Sequence, residues 1–190
     1  MKKLITSLIV ILGLLINTNI NAANPGVKKP VKSSSVSWTA SKVTGSHSGI
    51  INLGQSYIET EGMLITGGQI VVDMDTIVVT DLTGDSKASL EGHLRSGDFF
   101  DVAQYTTATF DITGSIANDD GSQLVSGNLT IKGVTQAATF TMLYKGNYVT
   151  TTMNIDRTKF GVRYGSGSFF DNLGDKAIDD MFELRAKLAL

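Results

Sequence analysis

The chain has 190 residues, a formal net charge of −2 and no cysteine. The lack of cysteine excludes disulfide bonds, thiolate nucleophiles and thiolate metal sites. The excess of acidic residues disfavours nucleic acid and anionic membrane surfaces as partners, and loss of Lys2 and Lys3 with an N-terminal signal would bring the net charge to −4.

Residues 1–22 have the pattern of a secretory signal peptide. Lys2 and Lys3 form a basic start, an apolar run follows from Leu4 to Ile16, and Ala22 ends the segment as a small residue at the cleavage site. The apolar run has about 13 residues, fewer than the roughly 20 that span a bilayer. We therefore predict export to the periplasm, with secretion as the alternative, and a mature protein without an integral membrane segment.

The remainder of the chain predicts a short leader and one domain. Residues 23–35 contain both prolines of the chain together with lysines and serines, and they offer little apolar surface to bury. We predict a flexible leader there. Residues 36–190 contain no second linker and no repeat, and their length is sufficient for one domain with its own core.

An alternation of apolar and polar residues predicts antiparallel strands that each bury one face. It recurs over residues 68–75, 108–112, 122–132, 136–145, 148–155 and 178–188. Glycine-containing turn signals, such as 66–68 and 145–147, separate the strands at short intervals. This all-β pattern predicts a meander of about eight strands closed into a barrel, because closure removes exposed edges. A sandwich of two sheets would give the same periodicity.

Two segments depart from the strand pattern. Residues 85–96 predict a short helix, with Asp85 or Ser86 as N-cap and Gly97 at the C-terminal cap. Residues 158–176 predict a long ordered loop rich in glycine and aromatic residues. The aromatic residues that follow the helix or lie in the loop predict either packing at one end of the sheet or a mouth that grips an apolar ligand: Phe99, Phe100, Tyr105, Phe160, Tyr164, Phe169 and Phe170.

Few residues favour catalysis or metal binding. His47 and His93 are the only histidines, and they lie on different predicted elements without short ligand spacing, so we predict no metal site and no cofactor. Asp180 shares the apolar face of the last strand, where its carboxylate needs a partner, and Arg157 and Arg163 are the candidates. An enzyme would have to recruit Asp180, Arg163 and His93, and we predict that the protein is not an enzyme.

An ordered set of segments resembles the YceI-like family. The most distinctive segment is 98–110, which reads Asp-Phe-Phe-Asp-Val-Ala-Gln-Tyr-Thr-Thr-Ala-Thr-Phe and follows His-Leu-Arg-Ser at 93–96. The resemblance covers about residues 35–190 and implies an elongated antiparallel β-barrel of lipocalin type with one helix near an end. The other matching pieces are Trp38, 42–49, 67–74, 127–135 and 178–180 with Phe182, Leu184 and Leu188.

The resemblance implies an exported lipid-binding protein. Family members hold a long isoprenoid or fatty chain in the barrel, so we expect a hydrophobic small molecule, such as a polyprenol or a quinone, as the ligand, and a monomer or homodimer. The alternative is a non-catalytic structural or interaction module of the cell envelope whose barrel is filled by its own side chains. The predicted lipid pocket consists of Ile70, Val72, Phe99, Phe100, Phe110, Ile112, Leu129, Ile131, Phe140, Met142, Met153, Ile155, Phe182 and Leu184.

Overall fold

The computed structural model describes residues 26–190, so the predicted signal peptide lies outside the described residues. None of the helices in this range has the length and apolarity needed to cross a bilayer. The helices are α1 (Gly84–Arg95) and two 3₁₀ segments, Arg157–Phe160 and Gly174–Lys176. The strands are β1 (Val27–Pro30), β2 (Ser33–Lys42), β3 (Gly45–Leu53), β4 (Tyr57–Glu61), β5 (Leu64–Val79), β6 (Thr107–Ala117), β7 (Gln123–Ile131), β8 (Val134–Lys145), β9 (Tyr148–Asp156) and β10 (Ile178–Ala189).

The strands form a closed antiparallel barrel. Around the barrel the order is β5, β3, β2, β10, β9, β8, β7 and β6, and β6 pairs again with β5. β1 runs on into β2 and β3 runs on into β4, and β1 pairs with β4 while β2 pairs with β3. The ten strands therefore make eight around the barrel, as predicted, and the sandwich alternative is wrong.

The alternating pattern is the direct cause of the barrel's dry interior. In β7, Val125 and Leu129 are buried, whereas Leu124 and Ser126 on either side of Val125 are exposed. Successive side chains of a strand point to opposite faces, so one apolar set lines the inside of the barrel and the polar set meets water. The predicted strand faces are confirmed in β7 and in the first part of β6.

The described part of the predicted leader belongs to the sheet. β1 and the start of β2 lie within residues 26–35, and β1 pairs with β4 along its whole length. Lys28 Nζ lies 3.5 Å from the ring centroid of Tyr57, and Lys29 Nζ donates a hydrogen bond to the Tyr144 hydroxyl at 2.6 Å. Lysine stems cover apolar surface while their amines stay polar, so these two lysines help to hold the segment together with Val31, which packs against the core.

The predicted turn at residues 66–68 lies inside β5. The chain turns instead at Gly62, which has φ +60°, and Met63. Gly68 has φ +141°, and a Cβ there would lie 2.6 Å from the carbonyl oxygen of Tyr57. The sequence prediction was wrong because this glycine serves a close approach of two paired strands, where the register between β4 and β5 also shifts.

The caps of α1 differ from the predicted ones. Thr83 is the N-cap, and its side chain makes no capping hydrogen bond. Ser96 is the C-cap in an extended conformation, and its N–H bonds to the His93 carbonyl at 3.1 Å. The predictions of Asp85 or Ser86 as N-cap and of Gly97 as a left-handed C-terminal glycine are therefore wrong.

The two ends of the barrel have different coverings. At the capped end, α1 lies in the connection from β5 to β6, and residues 157–177 connect β9 to β10. At the turn end, short connections at 62–63, 118–122 and 146–147 join neighbouring strands. Four aliphatic side chains near these turns are completely buried: Ile58, Ile65, Val125 and Val149.

A buried glutamine ties strands together at the turn end. Gln123 is 4 % exposed. Its Oε1 accepts hydrogen bonds from the Ile65 N–H at 2.8 Å and from the Ser115 hydroxyl at 2.9 Å. Its Nε2 donates to the Met63 carbonyl at 2.7 Å. Because buried polar groups are costly unless they are paired, this amide fixes β5 against β6 and β7.

β8 and β9 are paired along only part of their length. Their ladder runs from Met142–Thr151 to Lys145–Tyr148, next to the turn end. In the remainder of the described strands, 135–141 pairs with β7 and 152–156 pairs with β10, without pairing to each other. We call this interruption of the barrel wall, between 135–141 and 152–156, the β8–β9 slot.

Candidate ligand-binding cavity

An apolar cavity of about 150 Å³ lies inside the barrel. An engineered protein cavity of about this volume, lined by aliphatic and aromatic side chains, stays dry and binds benzene. Four polar residues contribute to the lining, Thr109, Thr151, Arg157 and Asp179, and all other lining residues are apolar. The cavity is therefore suited to an apolar ligand, and its presence argues against a barrel completely filled by its own side chains.

Thirteen of the fourteen predicted pocket residues line this cavity, and their contact with a ligand stays a prediction. Ile112 is the exception. It is 7 % exposed and lies one inward position beyond Phe110 towards the turn end, opposite Gly68 and Gly127. There it is part of the packed core instead of the cavity wall. The lining residues are Ile70, Val72, Phe99, Phe100, Phe110, Leu129, Ile131, Phe140, Met142, Met153, Ile155, Phe182 and Leu184.

The cavity wall also includes residues that the sequence reasoning missed. They come mainly from β2, β3, the later part of β5 and α1. In β2 a signal was present, because Val36, Trp38 and Ala40 alternate with serine and threonine. The missed apolar residues with branched or large side chains are Val36, Trp38, Ile51, Leu53, Met74, Ile77, Leu94 and, from β10, Ile178 and Leu188.

Two glycines make room for large rings of the cavity wall. A Cβ on Gly49 would lie 2.4 Å from the Trp38 ring, and one on Gly127 would lie 2.8 Å from the Phe110 ring. Real Cβ atoms do not approach other atoms so closely, so any larger residue would push these rings out of place. The glycines in β3 and β7 thus help to set the shape of the cavity.

Aromatic side chains cover the cavity at the capped end. Phe99 and Phe100 follow α1 and lie edge to face, with centroids 5.0 Å apart. Phe100 also meets Phe182 of β10 at 6.5 Å. Leu94 of α1 is 8 % exposed and completes this cover as a lining residue. The predicted position of the helix near one end of the barrel is confirmed.

The other predicted mouth aromatics have different positions. Phe160 is 3 % exposed and packs in the core, and Tyr105 lies against Gly133. Tyr164, Phe169 and Phe170 are about half exposed. The structure therefore brings two of the seven aromatics to the cavity, and the rest either pack beside it or face solvent.

Arg157 organises the segment that covers the capped end. It is 2 % exposed, and its guanidinium donates to backbone carbonyls alone. Nε bonds to Asp179 at 2.9 Å, and Nη2 bonds to Ile178 at 3.0 Å. Nη1 bonds to Val162 and Tyr164, each at 2.9 Å. One side chain thus joins the start of the 157–177 segment to its middle and to β10.

Asp180 supplies the carboxylate partner of this arginine. Its Oδ1 lies 3.6 Å from Arg157 Nη2, and its Oδ2 accepts a hydrogen bond from the Ser168 hydroxyl at 2.5 Å. Burial would raise the pKa of Asp180, but hydrogen bonds from Ser166 and Ser168 and the charge of Arg157 outweigh burial and lower the pKa below its usual value. The predicted ion pair is confirmed with Arg157, whereas Arg163 stacks on Phe169 at 4.5 Å.

The residues that an enzyme would recruit have separate partners. Asp180 pairs with Arg157, and Arg163 stacks on an aromatic ring. His93 packs against Phe99 and Tyr164, and His47 bonds to an aspartate at 2.9 Å. Among residues 26–190, no group of three or more His, Cys, Asp or Glu side chains is placed to hold a metal ion.

Comparisons with known sequences identify a family and distant relatives. The family model of the YceI-like domain matches residues 26–190. A UPF0312 protein of Vibrio campbellii is 32 % identical over 104 residues, which cover 51 % of this chain and 55 % of the relative. A UPF0312 protein of Pseudomonas aeruginosa is 43 % identical over 60 residues, 32 % of this chain and 31 % of the relative. The matched part thus spans about half or less of these relatives.

Solved structures share the fold at low sequence identity. BcnA of Burkholderia cenocepacia has a TM-score of 0.64 and 20 % identity, over 83 % of this chain and 96 % of that one. A polyisoprenoid binding domain of Saccharophagus degradans has a TM-score of 0.61 and 14 % identity, over 86 % and 97 %. The YCEI protein of Campylobacter jejuni has a TM-score of 0.54 and 14 % identity, over 100 % and 98 %. The match of the family model across the whole barrel, with its cap and its apolar cavity, shows that this chain belongs to the YceI-like family.

Proposed function

We propose that this protein binds the apolar chain of an isoprenoid or fatty lipid inside its barrel. The observation that carries the proposal is the cavity with its almost wholly apolar wall. Burial of each CH₂ group contributes about 0.8 kcal/mol, so a chain can bind without a polar anchor. The fold neighbour from Saccharophagus degradans is described as a polyisoprenoid binding domain, which supports the same class of ligand here.

A long chain requires the cavity to expand. At about 150 Å³ the cavity has room for a group of the size of one aromatic ring. Met142 and Met153 lie in its wall, and methionine side chains are unbranched and adapt to irregular apolar shapes. We expect these side chains to move outwards when a chain of several isoprene units is bound.

The charged groups at the cavity favour a neutral headgroup. Arg157 donates its N–H groups to four backbone carbonyls and pairs with Asp180, so it is not available to a pyrophosphate. Asp179 is the other charged lining residue, and as an exposed aspartate it offers no cationic partner to a phosphate. A quinone or a polyprenol fits this setting better than a phosphorylated lipid.

We further propose that the protein acts outside the cytoplasm as a carrier or store of its lipid and catalyses no reaction. The pattern of Lys2, Lys3 and the apolar run to Ile16 supports export to the periplasm. A lipid of this kind has very low solubility in water, and a closed barrel shields it from an aqueous compartment. Detection of the mature protein in a periplasmic fraction, with cleavage after Ala22, tests this part of the proposal.

Lipid binding can be tested with the single tryptophan of the chain as reporter. Trp38 lies in the cavity wall, so a bound short-chain ubiquinone should quench its fluorescence. Leu129→Arg places a charge in the cavity, whereas Leu124→Arg places the same charge on the exposed face of the same strand. We expect saturable quenching in the wild type and in Leu124→Arg. We expect none in Leu129→Arg, because an unpaired arginine keeps its water of hydration inside the cavity and an apolar chain cannot displace that water.

A second variant covers the case in which Leu129→Arg does not fold. Ala186→Phe fills the cavity with an apolar ring and adds no charge. It should weaken ubiquinone binding at least about tenfold, a loss of about 1.4 kcal/mol. Unchanged binding in the folded Ala186→Phe protein, or a wild type that binds neither ubiquinone, polyprenol nor fatty acid, would contradict the proposal.

A further inference from the structure

We propose that the lipid chain passes into and out of the barrel sideways, through the β8–β9 slot. The inference rests on the proposed lipid binding and adds the route by which the ligand reaches the cavity. It follows from three observations: the interrupted ladder, the position of the cavity wall directly behind it, and the tighter closure of both barrel ends.

On the side of the turn end, the β8–β9 slot begins where the ladder between the two strands stops. The last ladder pair is Met142–Thr151, and the Thr151 hydroxyl donates to the Thr141 carbonyl at 2.8 Å. If the register continued, Phe140 would lie opposite Met153. No ladder forms there within the described strands, so beyond the Thr141 carbonyl the backbone groups of the two edges are not paired with each other across the slot.

The slot opens directly onto the cavity wall. Phe140 on one edge and Met153 and Ile155 on the other edge all line the cavity. Phe140 and Met153 are half-buried, unlike the fully buried Val125 and Val149 near the turn end. A chain that passes between the two strands therefore meets the apolar lining at once.

Away from Asp156, which ends the β9 edge at the capped end, the outer rim of the slot carries no charge. Ala137, Thr139 and Thr141 on β8 and Thr152 and Asn154 on β9 are exposed, and none of them is ionisable. An apolar chain can cross this rim without displacing water from a charged group, which would be costly. Near the capped end, Gln136 Nε2 reaches across to the Lys159 carbonyl at a length of 3.4 Å, which is a weak hydrogen bond.

Passage through either end would break more contacts. At the capped end, the segment that covers the cavity is held by the backbone hydrogen bonds of Arg157 and by the packing of Phe99. At the turn end, Ile58 and Ile65 are completely buried, and Gln123 ties the strands. At the slot, side chains can move apart without breaking a ladder.

The test is a cross-link that closes the slot. Thr139 and Asn154 would face each other in the continued register, and the chain has no other cysteine, so Thr139→Cys with Asn154→Cys gives one defined disulfide. The control is Thr139→Cys with Ser126→Cys, which joins the other edge of β8 to its regular partner β7. There the two hydroxyl oxygens already lie 3.2 Å apart. A bis-maleimide closes the slot pair if its sulfurs lie too far apart for a disulfide.

Uptake is followed by stopped-flow quenching of Trp38 with short-chain ubiquinone. We expect the slot cross-link to slow both uptake and release of ubiquinone at least about tenfold. Where the cross-link is a disulfide, a reductant should return both rates to those of the wild type. The control disulfide should leave the rates unchanged, and the equilibrium affinity of the cross-linked slot variant should stay close to that of the wild type.

Three results would overturn the inference. Unchanged rates in the slot variant would mean that the chain passes through an end of the barrel. Equal slowing by the control disulfide would mean that general stiffness of β8 sets the rate. A loss of affinity without slower exchange would make the slot part of the binding site instead of the route. Absence of binding in the wild type would contradict the proposed function itself.

Discussion

The turn end and the capped end of the barrel are closed by different kinds of contact. At the turn end, Ile58, Ile65 and Val125 are completely buried, and Gln123 is paired through all its polar atoms. At the capped end, aromatic rings cover the cavity and Arg157 binds the covering segment by its backbone. One end is held by dense aliphatic packing, and the other depends on a single charged side chain.

This difference indicates which part of the interior is stable core and which part is adaptable. The cavity extends from the capped end through the middle of the barrel as far as Met142 and Leu188. The completely buried aliphatic residues Ile58, Ile65, Val125 and Val149 of the turn end lie outside its wall. Close-packed aliphatic residues resist change, while a wall next to empty space can be rearranged at lower cost. We therefore expect substitutions at the turn end to affect folding and those at the cavity to affect binding.

The largest effect should come from removing the arginine that holds the capped end. Arg157→Met leaves four backbone carbonyls without their donor. A typical hydrogen bond contributes about 1 kcal/mol net, so we expect the free energy of unfolding to fall by about 4 kcal/mol. Urea denaturation measures this loss. Arg157→Lys is the control, because it keeps the charge but has only three donors.

The lysine variant should recover a small part of the stability, since it cannot reach four carbonyls spread over the segment. If Arg157→Met unfolded at the same urea concentration as the wild type, the capped end would be held by its aromatic packing and not by the arginine. The contrast between the two ends would then be lost.

A matched pair in β5 compares packed core with cavity wall. Ile65→Ala removes a completely buried side chain at the turn end, whereas Ile70→Ala removes the same atoms from the cavity wall. We expect Ile65→Ala to reduce the free energy of unfolding by about 3 kcal/mol and Ile70→Ala by about 1–2 kcal/mol, because the second site already borders a void. Urea denaturation of both variants provides the comparison.

Ligand binding separates the same two variants in the opposite direction. Ubiquinone affinity should be unchanged in Ile65→Ala and altered in Ile70→Ala, as measured by quenching of Trp38. If the two variants lost the same amount of stability and bound ubiquinone with the same affinity, the interior could not be divided into a packed core and a cavity wall.

The smallest effect concerns the pH dependence of the capped end. The pKa of Asp180 is lower in the folded chain than its usual 3.8, so its ion pair stabilises the fold well above pH 3.8, and this contribution is lost as the pH falls through the folded pKa. Asp180→Asn should cost less than about 1 kcal/mol at pH 7, because the carboxylate is partly exposed. The difference from the wild type should shrink towards pH 3. A difference that grew at low pH would contradict the assigned pairing.

Sequence reasoning succeeded where the physical rule is local. Alternation assigns the inward face of a strand from its own residues, so Leu129, Phe140 and Met153 could be placed on the cavity wall in advance. The distinction between barrel and sandwich came from the resemblance to a family, because both architectures have the same period of two. Ile112 follows the same alternation as Phe110. The alternation could not reveal that the barrel interior around Ile112 is filled by packed side chains, whereas the interior around Phe110 contains the cavity.

Sequence reasoning failed where partners are distant in the chain. Arg157 was a candidate partner of Asp180, but two of its four backbone acceptors lie in a loop whose path no pattern predicts. Lys28 and Lys29 read as leader residues because their aromatic partners are in β4 and β8. The β8–β9 slot was equally hidden, since both edges keep the alternation of an ordinary paired strand.

The most direct test of the central claim is native mass spectrometry of the protein purified from its own cells under mild conditions, followed by organic extraction. If the barrel holds a lipid, the measured mass exceeds that of the mature polypeptide by one isoprenoid or acyl lipid, and the organic phase contains that lipid. A bare polypeptide mass that remains bare after incubation with quinones, polyprenols and fatty acids would contradict lipid binding by this barrel.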